Sequence, residues 1–210
     1  MVRKKNPEQT RQQILEMAGD LIHQHGFKGM RVDEIAQKTG LTKGAIYHHF
    51  PNKQALGYAV VDELFNKMFN QHWDELLAGE GLPLEVIASS FDCMGNTICE
   101  SDVEIGCPLI NLGSEMSFED EGFRTRINKV FDEWTIQIED LLIKGIEQGS
   151  IKSEVDAQKT ASFLVASFQG IQCNSKYGKD IQRFKDGLVY LSSIVRGLSS
   201  ETEVRIAESA

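Results

Sequence analysis

The chain lacks almost everything that marks an enzyme or a membrane protein. Its 210 residues hold no Gly-x-Ser-x-Gly, His-Glu-x-x-His or Walker sequence, and no Ser/His/Asp order suggests a triad. All five histidines precede residue 73, so most of the chain is without the usual general base and no enzyme is expected. No apolar run approaches the ~18 residues that cross a bilayer. The basic start MVRKKNPEQTRQQ is followed by no apolar core, so it does not read as a signal peptide. The four cysteines include no Cys-x-x-Cys pair, which argues against a zinc ribbon and for reduced thiols in a cytoplasm. No metal and no cofactor is expected. Alternating apolar runs and Asn-Gly hairpins are missing as well, so strands are not expected.

What is present is helical spacing and a charge asymmetry. Residues 1–56 carry nine Lys or Arg against five Asp or Glu, and the remainder thirteen against twenty-six, within a net charge of -9. An acidic protein with a local basic face can approach DNA, although a solvated charged surface would look the same by charge alone.

The spacing predicts an all-α chain of about nine helices. The first carries Ile14, Leu15, Ala18, Leu21 and Ile22 on one stripe and stops at Gly26, with Asn6-Pro7 as a possible cap and first-turn proline. A short helix over 32–39 ends at Gly40. Thr42 caps a third helix running to about Phe50, Pro51 blocks it, and Asn52 caps a long fourth helix over 53–77. Further helices are expected over 83–100, 108–116, 118–148, 156–176 and 180–198. The breaks between them are AGEGLP, SDVEIGC, SFEDEG, GSIKSE and YGKD, and a polar, frayed tail occupies 201–210.

Two short helices joined by a tight glycine turn match a helix-turn-helix, whose second helix enters the major groove. At 100° per residue Ile46 and Phe50 face inward, and Lys43, Gly44, Tyr47 and His48 occupy the opposite arc. Gly44 allows close backbone approach, and Ala45 is small enough to sit by a thymine methyl. Thr42, Tyr47, His48 and His49 offer donors to phosphate oxygens. Lys53 opposes the macrodipole at the start of the next helix, a placement that makes sense if a phosphate lies between them. The same turn also occurs in helical proteins that never touch DNA. Adjacent His48 and His49 point to different faces and do not make a metal site.

Across Thr10 to Leu56 the sequence resembles the N-terminal domain of the TetR family of bacterial transcriptional repressors. The resemblance runs through Ile14-Leu15, Gly26-Phe27, Val32, Ile35-Ala36, Gly40, Lys43-Gly44, Tyr47, His49-Phe50, Lys53 and Leu56. It implies a DNA-binding domain over 1–55 with Thr42, Lys43, Gly44, Tyr47, His48, His49 and Lys53 at DNA-contacting positions. It also implies a ligand-binding and dimerisation domain over 56–200. One departure is Met30-Arg31, where the family usually has a Ser or Thr cap, a loss of ~1 kcal/mol of capping. Arg31 could contact phosphate in its place.

In the acidic body Leu164, Phe168 and Ile171 form one stripe and Phe184, Leu188, Leu191 and Val195 another. Such stripes are plain core or, as the resemblance implies, the seam of a homodimer reading palindromic half-sites. Phe65, Phe69, Trp73, Phe91, Met116, Phe131 and Trp134 are either core or the wall of a small-molecule pocket, with Asn96, Asn111 and Glu115 as candidate polar contacts. Cys107 precedes Pro108 and is expected at a helix N-cap, where the dipole activates a thiolate. The segment Ile105–Ser117 resembles a TetR subgroup that includes the N-ethylmaleimide reductase repressor, in which the matching cysteine responds to electrophiles, and Cys99 and Lys176 fall near matching positions. A packing cysteine is the other reading of Cys107.

The leading expectation is therefore a cytoplasmic repressor, on the nucleoid when bound to its double-stranded DNA operator and released by a small-molecule effector. Three alternatives stand beside it: a redox-responsive repressor switched through Cys107, an all-α ligand-binding protein or enzyme without a DNA role, and an architectural nucleoid protein.

Overall fold

A computed structural model describes residues 6–77 and 81–200. Among these residues the fold is all-α, as the spacing predicts. Helix α1 (Pro7–Gly29) opens with Asn6 Oδ1 accepting the Glu8 N–H at 3.2 Å and proline in its first turn. Gly26 interrupts it at φ 73°, ψ 169°, a conformation essentially closed to residues with a Cβ. Helices α2 (Val32–Thr39), α3 (Lys43–His49) and α4 (Lys53–Ala59) follow. A π-helical turn (Val60–Phe65) continues α4 into α5 (Asn66–Leu77), which gives the long fourth segment expected. Part of the predicted AGEGLP break, and the 201–210 tail, lie outside the described residues.

Helix α6 (Pro83–Thr97) is followed by one element that was not expected. SDVEIGC is not simply a break, because α7 (Glu100–Ile105) forms within it. Cys99 and Asp102 make a reciprocal capping box there, the Cys99 N–H donating to Asp102 Oδ2 at 3.1 Å. Cysteine is outside the usual N-cap set, so the signal was not legible. Helices α8 (Pro108–Met116) and α9 (Glu121–Glu147) come next. The latter starts later than residue 118 because the N–H groups of Glu119 and Asp120 turn back onto the Met116 carbonyl. Helices α10 (Ala157–Gly178) and α11 (Ile181–Arg196) are capped by Asp156 and Asp180, each accepting an N–H three residues on at 3.0 Å.

The chain divides into two compact units, each made of two stretches of sequence. The first comprises Met1–Phe69 with Cys107–Lys129, the second Asn70–Gly106 with Val130–Ala210. In the first, the predicted stripe of α1 (Ile14, Leu15, Ala18, Leu21, Ile22) is buried with Ile35, Ile46, Phe50 and Leu56. Leu109, Leu112 and Phe123 complete that core from the far part of the sequence. In the second, α6, α7, α10 and α11 pack on one another around an aromatic centre.

Candidate nucleic-acid interface

The turn between α2 and α3 is built as its residues dictate. Gly40 takes the left-handed conformation (φ 67°, ψ 23°), and the Leu41 N–H returns to the Ala36 carbonyl at 3.1 Å. Thr42 caps α3 by accepting the Ala45 N–H at 3.2 Å, which leaves its O–H free to donate elsewhere. Ile46 and Phe50 are buried, and Arg11 lies 4.9 Å over the Phe50 ring. On the outer arc Thr42, Lys43, Gly44, Tyr47 and His48 are exposed, while Ala45 and His49 are half-buried. The structure thus gathers seven expected DNA-facing residues on one short helix. Arg31 is exposed at the start of α2 and supplies no side-chain cap, as its departure from Ser or Thr predicts. Lys43 Nζ lies 2.7 Å from Asp33 Oδ1, and that hydrogen bond raises the ammonium pKa above its ordinary value.

Lys53 departs from expectation. Its Nζ turns inward, donates to the Lys28 carbonyl at 3.1 Å and sits 4.8 Å over the Phe27 ring. Burial lowers its pKa, against the opposing pull of Glu115. In this arrangement the lysine serves the exposed carbonyl at the end of α1.

Sequence reasoning missed the network that holds this region, and placed Glu115 in a ligand pocket. Glu115 Oε2 accepts the Phe27 N–H at 2.7 Å and Oε1 the Lys28 N–H at 2.8 Å. These are the amides that the turn at Gly26 leaves without helical partners. Lys28 Nζ pairs with Glu119 at 2.6 Å, and Phe27 meets Phe123 edge-on at 4.7 Å. Asp120 accepts from Tyr58 at 2.7 Å, Gln54 at 2.6 Å and the Phe123 N–H at 3.1 Å. Arg126 bonds Asp62 at 2.9 Å and covers the Tyr58 ring. The end of α1 and helix α4 are thereby tied to α8 and the start of α9. Gly26 marks the turn in the sequence, but nothing local names the partner that answers its amides.

Burial at Asp120 pushes its pKa up, but the bonds from Tyr58, Gln54 and backbone N–H groups outweigh this and leave it below the usual carboxylate value. A lowered carboxylate stabilises the fold fully above its unfolded pKa and loses that contribution as pH falls through the folded value. Asp120→Asn is therefore expected to lower the melting temperature at neutral pH and to flatten the loss below about pH 4, as pH-dependent melting of the two proteins would measure.

The remaining candidates divide between the units. Phe65 and Met116 are buried, and Phe69 and Asn111 half-buried, in the first unit. Trp73, Phe91 and Trp134 are buried together in the second, with Trp73 and Trp134 centroids 4.2 Å apart. Phe131 is half-buried in that unit, and Asn96 is exposed rather than aimed at its interior.

The expected dimer stripes require correction. Leu164, Phe168, Phe184, Leu188, Leu191 and Val195 are at most 2% exposed within a single chain, with Ile171 half-buried, so they form its core and not an open seam. The opposite arcs present Phe163 and Tyr177 on α10, and Val189 and Tyr190 on α11.

Cys107 does stand at the N-cap of α8, but its sulfur caps no helical N–H. The Cys99 thiol donates to Asp102 Oδ2 at 2.9 Å. The reading of a switch through Cys107 is not favoured.

Two short helices, α2 and α3, joined by a glycine turn and packed on α1 within an all-α chain define a class of regulator, and comparison with known proteins agrees. Residues 14–60 match the family described as bacterial regulatory proteins, tetR family, and residues 83–188 match the tetracyclin repressor-like C-terminal domain. The chain is 27% identical to the HTH-type transcriptional repressor DhaR of Mycobacterium sp. (strain GP1), covering 92% of this chain and 94% of that one. It is 25% identical to the HTH-type transcriptional repressor NemR of Escherichia coli (strain K12), covering 89% and 94%. A TetR transcriptional regulator from Chloroflexus aurantiacus superposes with a TM-score of 0.80 at 25% identity, over 92% and 97% of the two chains. The chain belongs to the TetR family and is a DNA-binding transcriptional repressor. Proteins of this family bind DNA operators and act as dimers, and among the described residues no helix is long and apolar enough to cross a membrane.

Proposed function

We propose that this repressor acts in the cytoplasm as a homodimer that inserts α3 of each copy into the major groove of a palindromic operator and leaves it when a small molecule binds the body. The observation that carries this reading is the outer arc of α3: Lys43, Gly44, Tyr47 and His48 lie open above a buried Ile46 and Phe50. A seven-residue helix is ~10 Å long, which suits a major groove. Thr42, Tyr47 and His48 reach phosphate oxygens, Lys43 supplies the cation, and Ala45 and Gly44 allow the backbone close to the base edges. Arg31 adds a second cation at the start of α2. Lys53 acts from beneath by fixing the end of α1.

Dimerisation uses the exposed arcs of α10 and α11, around Phe163, Tyr177, Val189 and Tyr190, with Gly170 open between them. Two heads related by a two-fold axis read half-sites ~34–36 Å apart or a multiple of that spacing.

Lys43→Ala and Tyr47→Ala are each expected to weaken operator binding about tenfold or more, measured by fluorescence anisotropy on a selected operator. Lys43→Ala reduces the slope of log K against log salt by about one contact, while both variants remain dimers. Wild-type affinity in both variants, or a wild-type response that does not change with salt, would refute the assignment.

A further inference from the structure

The core-facing stripe of α10 changes character along its length. At 100° per residue Ala161, Leu164, Val165, Phe168, Gln172 and Ser175 share one arc. The first four are buried and apolar, whereas Gln172 Oε1 and Ser175 Oγ are buried without a hydrogen-bond partner. Other buried serines of this unit are satisfied. Ser90 donates to the Ile87 carbonyl at 2.7 Å, Ser150 to the Gly145 carbonyl at 3.1 Å, and Ser192 to Asp92 at 2.6 Å. A buried polar atom with nothing to bond is costly, and two on successive turns of one helix call for a common cause.

Their neighbour on the stripe supplies that cause. Phe168 meets Trp73 at 5.5 Å, Trp134 at 5.2 Å and Phe91 at 6.2 Å, each between ring centroids. The stripe sets Gln172 one turn beyond Phe168, and aromatic rings with a few hydrogen-bonding atoms at their end are the composition of a small-molecule site. Among the described residues no ionisable side chain is fully buried, so a charged guest would find no buried counter-charge there.

We propose that Gln172 and Ser175 are the polar end of a ligand site walled by Phe168, Trp73, Phe91 and Trp134, and that it takes a neutral aromatic molecule bearing a hydroxyl group. A hydroxyl donates to the Gln172 carbonyl oxygen and accepts from Ser175, answering both atoms at once. The flanking rings favour edge-on or offset aromatic contact. The inference rests on the reading of the body as the effector-binding part.

The test uses the full-length protein and three probes: methyl 4-hydroxybenzoate, methyl benzoate without the hydroxyl, and the 4-hydroxybenzoate anion. The chain's two tryptophans are Trp73 and Trp134, so their emission reports on this site alone. The neutral phenol is expected to change that emission and to bind about tenfold tighter than either control. Gln172→Leu and Ser175→Ala should each weaken it about tenfold. Without ligand, the double variant should melt no lower than wild type, because it removes two unsatisfied atoms.

Absent binding of the neutral phenol, equal binding of all three probes, undiminished binding in both variants, or a lower melting temperature in the double variant would each overturn the proposal. Operator release is followed in parallel. Release that ignores both substitutions sinks this site and leaves the effector reading standing. Binding as expected with the operator retained sinks the effector reading and leaves the site.

Discussion

Phe168→Ala is expected to destabilise the folded chain by about 3–5 kcal/mol, the usual cost of deleting a fully buried aromatic ring. For a chain of this size that lowers the melting temperature by about 10 °C. Phe168 is 2% exposed and touches four other rings, those of Trp73, Phe91, Trp134 and Phe184. Removing it leaves a void bounded by rigid indoles, which cannot easily collapse. The contrast is Tyr190→Glu combined with Phe163→Glu, at positions 70% and 55% exposed. That pair should leave the single chain folded and separate the copies, as sedimentation equilibrium would show. If Phe168→Ala instead gave a stable monomer and the exposed pair left the dimer whole, the arcs of α10 and α11 would have been assigned the wrong way round.

The second large effect is expected at Gly26→Ala. At φ 73° and ψ 169° an alanine is strained by about 1–3 kcal/mol. Its Cβ would also lie 2.6 Å from Glu115 Oε2. The carboxylate must then withdraw from the Phe27 and Lys28 amides, each a charge-assisted bond worth about 1.5–3 kcal/mol when buried and less at the exposed Lys28. A total near 4 kcal/mol follows from these ranges. Glu115→Gln keeps a single accepting oxygen and should cost about half as much, because its N–H₂ meets an amide N–H head-on. The double variant should cost clearly less than the sum of Gly26→Ala and Glu115→Ala, since both break the same pair of bonds. Strict additivity in thermal melts would show that Glu115 does not hold the turn.

The parts of this molecule that were legible in sequence are those fixed by neighbours a few residues apart. Asn6, Thr42 and Asn52 each cap a helix by accepting an N–H two or three residues ahead, and all three were readable. So was the inward turn of Ile46 and Phe50. Helix α7 was not, because a thiol took a place normally held by oxygen. Glu115 escaped for a different reason: its partner amides are 87 and 88 residues away, and no local pattern announces such a bond. Helices α10 and α11 carry large apolar side chains on both arcs, Leu164 and Phe168 on one and Phe163 and Tyr177 on the other. Periodicity finds both arcs and says nothing about which meets its own chain and which meets another. The bond from Lys53 to the Lys28 carbonyl was not legible either, because that carbonyl comes from α1, 25 residues away.

Lys43 and Asp33 pair across the turn with both side chains more than half exposed, so the attachment is a weak one, about 1 kcal/mol or less for pairs of this kind. If that ammonium meets a DNA phosphate as proposed, it exchanges one exposed anionic partner for another at little cost. Asp33→Asn is accordingly expected to tighten operator binding by no more than about fivefold, leaving the grip of the head to be set by what the helix meets and not by what it leaves.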